Sequence, residues 1–254
     1  MEKRCVISVL KCNFVAMNGF FDKDLGNVIV KKNSRAKKMI VRRKSNQIQI
    51  TVPNSLSKRE ILKHFEKLKP QILALPATEV VKITEQSKIK TFTFDATISR
   101  KSINSDKLSL SLKDKALTID VPSHYNITAK NVQSAIRRLF IHALRLEAKR
   151  VLPGKVIFFA KKWNLNVAEI KINSSKGRWG SCSNKKNINL SLFLMMLPEY
   201  LIDYVVLHEL AHTIELNHSK KFWELLDVFC DGKAAKLNQE SKNWKCDYLS
   251  YLKQ

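Results

Sequence analysis

Residues 208–212 have the sequence His-Glu-Leu-Ala-His, and a third histidine follows at position 218. Residues four apart lie on the same face of an α-helix, so His208 and His212 can each present one ring nitrogen to a single ion. Glu209 lies one step round the helix, beside that ion. This spacing of imidazoles and a carboxylate is typical of zinc hydrolases, and it predicts a metal site carried by a helix.

The segment around these residues has two apolar stripes at helical spacing. One stripe contains Leu207, Leu210, Ala211 and Ile214, and the other contains Leu201, Val205, His208 and His212. The pattern predicts a helix buried on two faces, with one face in the core and the other beside a water-poor cleft. We expect this helix to begin at Pro198, because proline suits the first helical position and Glu199 suits the positive end of the helix dipole.

His218 cannot lie on the same helix face, because a position six residues past His212 is about 120° away from it. The chain must therefore turn before His218. Asn217 tolerates a left-handed backbone, and Ser219 is a good N-cap for a following helix. The apolar stripe of that second helix contains Phe222, Leu225, Leu226 and Phe229. We expect His218 to lie in the turn between the two helices and to point back toward the metal.

The third ligand remains open on spacing alone, because Glu215 or Glu224 could take the place of His218. We favour His218, since three neutral imidazoles leave the ion its full double charge and lower the pKa of bound water to about 7. Glu209 would then take the proton of that water and pass it to the leaving group. The competing interpretation, histidines satisfied within a core, does not account for the third imidazole. A metzincin turn is not expected, because Glu215 stands where metzincins have glycine.

Residues 176–183, Lys-Gly-Arg-Trp-Gly-Ser-Cys-Ser, contain two of the six glycines in the chain. Gly177 and Gly180 predict a backbone with unusual dihedral angles. This loop is either a tight turn that packs Trp179 into the core or a wall of the cleft. As a cleft wall it would supply the Arg178 guanidinium as a catalytic group for an oxyanion, with Ser181 as a further donor. The residues assigned to substrate binding are Trp179, Ser181 and Asn189.

The composition indicates a folded and strongly basic protein. Hydrophobic residues make up 44% of the 254 positions, enough for one large domain or two smaller ones. The net charge is +24, far above the roughly 2 to 8 suited to a small domain. This excess indicates a polyanionic partner such as a nucleotide or nucleic acid, unless it reflects a general abundance of lysine. Two basic clusters favour a phosphate-binding face: Lys31, Lys32, Arg35, Lys37, Lys38, Arg42, Arg43 and Lys44, and then Arg137, Arg138, Arg145, Lys149 and Arg150.

The five cysteines are scattered and form no C-x-x-C pair. They favour reduced thiols in a cytoplasm over a disulfide framework. Cys182 has no evident activating group, so we expect a structural thiol there. The first ten residues imitate a signal peptide, but Lys11 interrupts the apolar run and no cleavage site follows. No segment reaches transmembrane length. The expected location is therefore cytoplasmic, without a membrane partner.

The order of the predicted elements indicates an α+β fold in two domains. We expect a basic, β-rich domain with β-hairpins, helices and β-β-α units over residues 1–125. A mainly helical, zincin-like metallohydrolase domain with a small sheet is expected over residues 126–254. Strands are predicted at 38–43, 47–52, 91–98, 107–112, 116–121, 167–172 and 187–192. Helices are predicted from the Ser57 to Glu60 capping box to about Pro70, at 128–152 and 156–163, and from Pro198 onward.

A repeat is also possible within the N-terminal half. The pairs Val52-Pro53 and Val121-Pro122 each end a predicted strand shortly before a helix. Two copies of a β-β-α unit can arise by chance, so the pairs alone leave duplication open.

Several segments together resemble the YgjP-like metallopeptidase family. They are Gly-Arg-Trp-Gly-Ser-Cys-Ser at 177–183, Ile-Asn-Leu at 188–190, residues 203–212, Asn-His-Ser at 217–219 and Phe-Trp at 222–223. The likeness extends over residues 28–237 and includes the basic run at 34–38. It implies a bacterial cytoplasmic zincin of the minimal, gluzincin-like type, related to SprT-like and WLM domains. It also implies one Zn²⁺ on His208, His212 and His218, with Glu209 as the catalytic base. The chain has Cys230-Asp231-Gly232 where the family usually has proline.

Three functions are compatible with these residues. A metallopeptidase is favoured, with the strand at 187–192 pairing with an extended peptide. A metal-dependent hydrolase of nucleotide phosphoanhydrides, such as a pyrophosphatase, would use the basic surface and Arg178, because no P-loop signature is present. A nucleic-acid-associated protease would dock through its basic N-terminal half.

Overall fold

The computed structural model describes residues 19–44, 47–74, 81–102 and 106–244. The chain divides into two compact units, residues 1–80 and residues 81–253. The described elements are helices and small mixed sheets, so the predicted α+β class is confirmed. The functional division near residue 125 stays a prediction. No helix in the described ranges has the length and apolarity needed to cross a bilayer.

The described part of the first unit contains a four-stranded sheet and one helix. Its strands are β1 (Gly19–Asp22), β2 (Gly26–Lys32), β3 (Ile40–Lys44) and β4 (Gln47–Val52), and its helix is α1 (Lys58–Ala74). The strand order is β1-β2-β4-β3, with β2 and β4 parallel and the outer pairs antiparallel. Alternate residues of β4, Ile48 and Ile50, are buried in a core with Phe65 of α1. The apolar face of β4, which has a period of 2, therefore packs against the apolar face of α1, which has a period of 3.6.

The predicted capping box begins α1. The Ser57 amide donates to Glu60 Oε2 at 2.8 Å, and the Glu60 amide donates to Ser57 Oγ at 3.3 Å. The prediction that this helix ends near Pro70 is wrong, because α1 continues to Ala74. Proline removes one backbone hydrogen bond, but the turn beyond it buries Ile72 in the core of this unit.

The second unit begins with a sheet of the same topology. Its strands are β5 (Ile89–Lys90), β6 (Asp95–Lys101), β7 (Ser109–Lys113) and β8 (Ala116–Pro122), in the order β5-β6-β8-β7. The central pair is again parallel and the outer pairs antiparallel. Helix α2 (Lys130–Lys162) follows, as α1 follows the first sheet. The predicted single strand at 91–98 is wrong, because a turn closed by Thr91 and Phe94 separates β5 from β6.

Helix α2 is continuous over 33 residues. The prediction of two helices separated by Pro153 and Gly154 is therefore wrong. Leu152 and Val156, on either side of the pair, are both fully buried. This packing outweighs the hydrogen bond that proline removes, because stability of a protein helix comes mainly from tertiary contacts.

The basic residues of α2 do not form one phosphate-binding face. Arg137 is buried, and Arg150 binds Glu147 with an Nη2–Oε2 distance of 2.6 Å. Burial lowers the pKa of the Arg137 guanidinium, and its Nε and Nη1 have no hydrogen-bond partner among the described residues. The expectation of a second solvent-facing basic cluster is therefore wrong for Arg137, whereas Arg150 is exposed but has its charge paired with Glu147.

The remaining elements include the helix that carries the histidine motif and the elements next to it in the chain. They are β9 (Glu169–Asn173), β10 (Gly180–Cys182), β11 (Asn187–Ser191), a 3₁₀ helix (Leu192–Met196), α3 (Glu199–Ala211), α4 (Lys220–Phe229) and α5 (Ala234–Asn243). The sheet order is β10-β11-β9, with β11 parallel to β9 and antiparallel to β10. Helix α3 contacts α2, α4, α5 and β10. Its predicted burial is confirmed, except that Ile214 lies beyond its end and is exposed.

An ionic contact ties α3 to α2. Lys155 Nζ lies 2.7 Å from Glu199 Oε1 and 2.7 Å from Asp203 Oδ1. Burial raises the pKa of Asp203, while Lys155 opposes that shift. The contact stabilises the start of α3 against the long helix, and so it helps to hold the histidine motif in place.

Candidate active site

Helix α3 begins and ends where the site requires it. Pro198 is its N-cap rather than its first residue, one position from the prediction. The helix ends at Ala211, so His212 occupies the C-cap with helical dihedral angles. His208 and His212 therefore share one face of the last turn, as their spacing of four predicts.

The chain then turns, and a new helix begins directly after His218. The amides of Ile214 and Glu215 both donate to the Ala211 carbonyl, which closes the turn. Ser219 is the N-cap of α4, and its hydroxyl accepts from the Phe222 amide. The predicted turn between two helices is confirmed. Asn217, which tolerates a left-handed backbone, is not among the residues with positive φ, so the turn does not use that conformation there.

The three imidazoles come together at this turn. Ligand nitrogens of His208, His212 and His218 all lie within 4.8 Å of one another. The Nε2 atoms of His208 and His218 are 3.0 Å apart. Two nitrogens bound to one tetrahedral zinc ion are about 3.3 Å apart, given Zn–N bonds of about 2.0–2.1 Å. Within the described part of the chain this is the one cluster of three metal-binding side chains, and its donor set suits zinc.

Neighbouring groups orient the rings. His212 Nδ1 lies 2.9 Å from the Glu215 carbonyl, to which it can donate, and this leaves Nε2 free to bind a metal. The Tyr204 hydroxyl lies 3.5 Å from His208 Nδ1 and is buried one turn earlier on α3. The Phe222 ring stacks on His212 with centroids 4.5 Å apart. The sequence did not predict that Tyr204 and Phe222 contact the histidine rings, although Tyr204 precedes His208 by one helical turn.

The electrostatic environment favours the neutral form of His208 and of His218. Burial, the neighbouring imidazoles and Lys242 lower the pKa of His208 to about 3. Burial, His212 and Lys242 also lower the pKa of His218. A neutral imidazole is the form that binds metal, so the cluster is ready for an ion at neutral pH.

The carboxylates of Glu215 and Glu224, the alternatives to His218 as third ligand, lie outside the cluster. Glu215 approaches the cluster through its backbone carbonyl, at His212 Nδ1. Glu224 is exposed and has its Oε1 atom 3.3 Å from Lys220 Nζ. Neither carboxylate belongs to the three-residue cluster in the described ranges.

Glu209 is a buried carboxylate beside this cluster. It is 5% exposed, and Oε2 has no hydrogen-bond partner among the residues that the structure describes. Burial raises the pKa of Glu209 to about 8, although the positive charge of Arg178 opposes the shift. A carboxyl group with a pKa near neutrality can both accept and release a proton at neutral pH.

Glu209 packs against Gly180 of β10. A Cβ atom at position 180 would lie 2.5 Å from Glu209 Oε1 and 2.7 Å from its Cγ, far inside van der Waals contact. Gly177 and Gly180 both lack a positive φ, so the predicted unusual dihedral angles are wrong. Gly180 instead allows close approach of a side chain from α3, while Gly177 has no atom within 4 Å of its Cβ position.

The other candidate residues lie on β10, on β11 and just before β10. Arg178 is exposed, and Trp179 is half-buried with its Nε1 donating to the Ser241 carbonyl at 3.2 Å. Ser181 and Asn189 are partners across the β10–β11 pair. Strand β11 has neighbours on both sides, so the prediction that it pairs with a substrate peptide is wrong. Strand β10 lies at an edge of this sheet.

Cys182 also lies on β10. It is half-buried, and burial raises the pKa of its thiol to about 11, with a further contribution from Glu209. A thiol with a raised pKa is a poor nucleophile, in agreement with a structural role.

Helix α5 contributes two residues that the sequence did not reveal. The Ser241 carbonyl holds Trp179, and the charge of Lys242 reaches His208 and His218. No short-range pattern connects them to the histidine motif, because only the folded chain brings α5 against α3.

Comparison with known proteins identifies the family. Residues 37–240 match the family described as YgjP-like, metallopeptidase domain. The chain belongs to this family. The matched range contains all the candidate site residues, and the resemblance seen in the sequence is confirmed. The family is one of metallopeptidases, which agrees with a cluster of three histidines able to hold a metal.

Two solved structures were also found to be similar over part of the chain. One is the metallopeptidase zymogen of Pyrococcus abyssi abylysin, 21% identical, covering 37% of this chain and 95% of that one, with a TM-score of 0.33. The other is the metallopeptidase zymogen of Methanocaldococcus jannaschii jannalysin, 27% identical, covering 35% of this chain and 95% of that one, with a TM-score of 0.30. No match was found among curated proteins. At these TM-scores the two structures do not define the fold of this chain.

The contact between Glu209 and Gly180 can be tested by substitution. We expect Gly180→Ala to displace the Glu209 side chain and to lower peptidase activity at least about tenfold, since a misplacement of about 1 Å can cost a hundredfold. Gly154→Ala is the matched control, because its Cβ meets no atom within 4 Å. Both variants are compared with wild type by peptide hydrolysis and thermal unfolding. Full activity in Gly180→Ala would show that the contact does not position the carboxylate.

The buried carboxylate also predicts a pH-dependent stability. The pKa of Glu209 rises from an ordinary value of 4.5 to about 8 in the folded, metal-free protein. The stability linked to the protonated group is complete below the unfolded pKa and is lost as pH rises through the folded pKa. Between about pH 5 and about pH 9, wild type should lose about 4 kcal/mol relative to Glu209→Gln.

The measurement is chemical denaturation of both proteins in the presence of a chelator across this pH range. Glu209→Gln is its own control for the other titrating groups, because it keeps all of them. A stability difference that does not change with pH would contradict the buried, partnerless state of Glu209.

Proposed function

We propose that this chain is a zinc-dependent peptidase that hydrolyses peptide bonds with water. The observation that supports this most directly is the arrangement of three imidazoles beside a buried carboxylate. His208, His212 and His218 offer converging nitrogens, and Glu209 lies next to them against Gly180. Family membership supports a peptide or protein as substrate rather than a nucleotide phosphoanhydride.

The three histidines would hold one Zn²⁺ through their ring nitrogens. When bound there, zinc polarises a carbonyl oxygen and lowers the pKa of a coordinated water to about 7. The Glu215 carbonyl holds the His212 ring in the orientation that leaves Nε2 for the ion. Tyr204 has the same function toward His208 in this proposal, through the contact of its hydroxyl with Nδ1.

Glu209 would act as the general base. Its Oε2 atom has no partner in the described ranges, so it can accept the proton of the attacking water. The same oxygen then delivers that proton to the nitrogen of the leaving amine. The pKa of about 8 in the metal-free protein arises from burial, which also excludes bulk water from the transfer.

Residues of β10 and its surroundings would bind the substrate. An extended peptide can add to the free edge of β10, next to Gly180 and Glu209. Ser181 and Asn189, paired across β10 and β11, and Trp179 would contact its side chains. Arg178 would stabilise the negative charge that develops on the carbonyl oxygen.

Substitution of the base and of a ligand should separate chemistry from metal binding. We expect wild type to hold one zinc ion per chain and to cleave a protein substrate. Glu209→Gln should keep the ion and lose at least about a hundredfold in kcat, because general base catalysis contributes about 10²–10⁴. His212→Ala should lose both the ion and the activity, because it removes one of the three nitrogen ligands.

The measurements are metal content by elemental analysis and peptide hydrolysis after reconstitution with zinc. His124→Ala is the control for histidine loss, since His124 is paired with Asp106 away from the cluster. Zinc-free wild type, or undiminished activity in Glu209→Gln, would refute the mechanism.

A second function is supported by the basic surface of the first unit. Six residues of the N-terminal cluster have exposed side chains: Lys31, Lys32, Arg35, Lys37, Lys38 and Arg42. They lie on β2, on β3 and in the loop between them, and the structure gives none of them an ion pair with a described carboxylate. We propose that this surface binds nucleic acid, which would bring the peptidase to nucleic-acid-bound proteins.

Salt dependence tests this second function. If the surface neutralises about four phosphates, affinity for duplex DNA should fall about a hundredfold between 50 and 200 mM salt. Replacing Lys31, Arg35 and Lys38 by Ala should reduce this slope, whereas replacing Lys233, Lys236 and Lys242 of the second unit should not. An affinity that does not change with salt would exclude the proposal.

A further inference from the structure

A cavity borders the candidate active site on the side of α5. It has a volume of about 340 Å³ and lies between residues 175–179 and the end of α5. The residues that matter for its chemistry are Arg178, Trp179, Phe193, Ser241, Lys242 and Trp244. The volume is at the lower end of the roughly 300–1,000 Å³ typical of ligand pockets, which suits a single side chain or chain end.

One wall of the cavity leads along the chain into β10. Trp179, part of its wall, is followed directly by Gly180, against which Glu209 packs. The two sides of the cavity are joined by the hydrogen bond from Trp179 Nε1 to the Ser241 carbonyl. Helix α3 contacts both β10 and α5, so the cavity is held beside the histidines. A peptide along the edge of β10 would therefore place a neighbouring residue in it.

The lining of the cavity selects for negative charge. Arg178 and Lys242 are exposed cations at its rim, and the structure gives neither an ion pair with a described carboxylate. Among the described residues that line it there is no aspartate or glutamate. Lysine pairs with a carboxylate as a point charge, so Lys242 can bind it directly. Arg178 adds a second positive charge beside it, because a guanidinium has five N–H donors and is not used up by one oxyanion.

The walls of the cavity suit the carbon part of such a ligand. Phe193 is buried at 1% exposure, and Trp179 and Trp244 present aromatic surface. An acidic side chain has a short apolar stem and a charged end. The aromatic walls match the stem, and the cations at the rim match the charged end. The net charge of +24 would also attract acidic substrates from a distance.

We propose that this cavity is a specificity pocket for a carboxylate, so that the enzyme cleaves peptide bonds next to a negatively charged group. The carboxylate can belong to an aspartate or glutamate side chain or to the C-terminal end of the peptide. This inference rests on the proposed peptidase function. It adds to that function the chemical class of the residue beside the cleaved bond.

The first test uses zinc-loaded wild type and the full chain. A mixture of peptides is digested and the cleaved bonds are identified by mass spectrometry. Matched peptides are then compared that carry Glu or Gln beside the preferred bond, each with a free or an amidated C-terminus. We expect kcat/KM to be at least about tenfold higher for the peptide with the added carboxylate, since charge-assisted hydrogen bonds are the stronger ones. A preference for Glu over Gln identifies a side-chain carboxylate as the ligand. A preference for the free over the amidated C-terminus identifies the end of the peptide.

Charge reversal tests the residues. Lys242→Glu should abolish or reverse the preference, while Lys236→Glu, on the same helix and outside the cavity, should keep it. The same peptides are titrated into Glu209→Gln, with tryptophan fluorescence as a readout that needs no turnover. Affinities in this variant should follow the order of kcat/KM in wild type.

The outcomes separate the two proposals. If wild type cleaves no peptide, or if Glu209→Gln cleaves as fast, the peptidase function is wrong. If wild type cleaves but treats Glu and Gln, and acid and amide, alike, the pocket is not a carboxylate site. Retention of the wild-type preference in Lys242→Glu would overturn the inference in the same way.

Discussion

The close packing of Glu209 against Gly180 is the contact on which the rest of the site depends. Any Cβ at position 180 would overlap the Glu209 side chain, so glycine is what allows α3 and β10 to approach. The contact leaves a carboxylate buried with one oxygen unpartnered, which is unfavourable in itself. Burial of apolar residues along α3 offsets this cost, since Leu201, Val206 and Leu210 are almost fully buried. The surrounding apolar core therefore offsets the unfavourable burial of the Glu209 carboxylate.

The position at which α3 ends determines where the histidines meet. The helix stops at Ala211, and the following turn brings His218 within 3.0 Å of His208. Ser219 then begins α4, which places Phe222 beneath all three imidazole rings with centroid distances of 4.5 to 5.0 Å. The rings therefore have a packed aromatic support as well as the polar contacts of Tyr204 and Glu215. In the proposed function this support holds the nitrogens in place before an ion binds.

Short-range signals in the sequence predicted the parts of the structure that depend on short-range physics. The four-residue spacing of His208 and His212, the capping box at Ser57 and the N-cap at Ser219 are all confirmed, because each acts within one helical turn. The breaks predicted at Pro70 and Pro153 failed, because tertiary packing outweighed local preference. The partners of Gly180 and Trp179 could not be predicted either, since Glu209 and Ser241 reach them only in the folded chain.

In the proposed function, chemistry and selectivity would be carried by different elements that meet at β10. Helix α3 and the turn after it supply the imidazoles and the carboxylate, whereas the loop before β10 and the end of α5 enclose the basic cavity. Trp179 and Gly180 are adjacent in the chain, and one lines the cavity while the other touches Glu209. A peptide paired with β10 would thus have its reactive bond near Gly180. Its neighbouring residue would lie near Trp179, which directly precedes the strand.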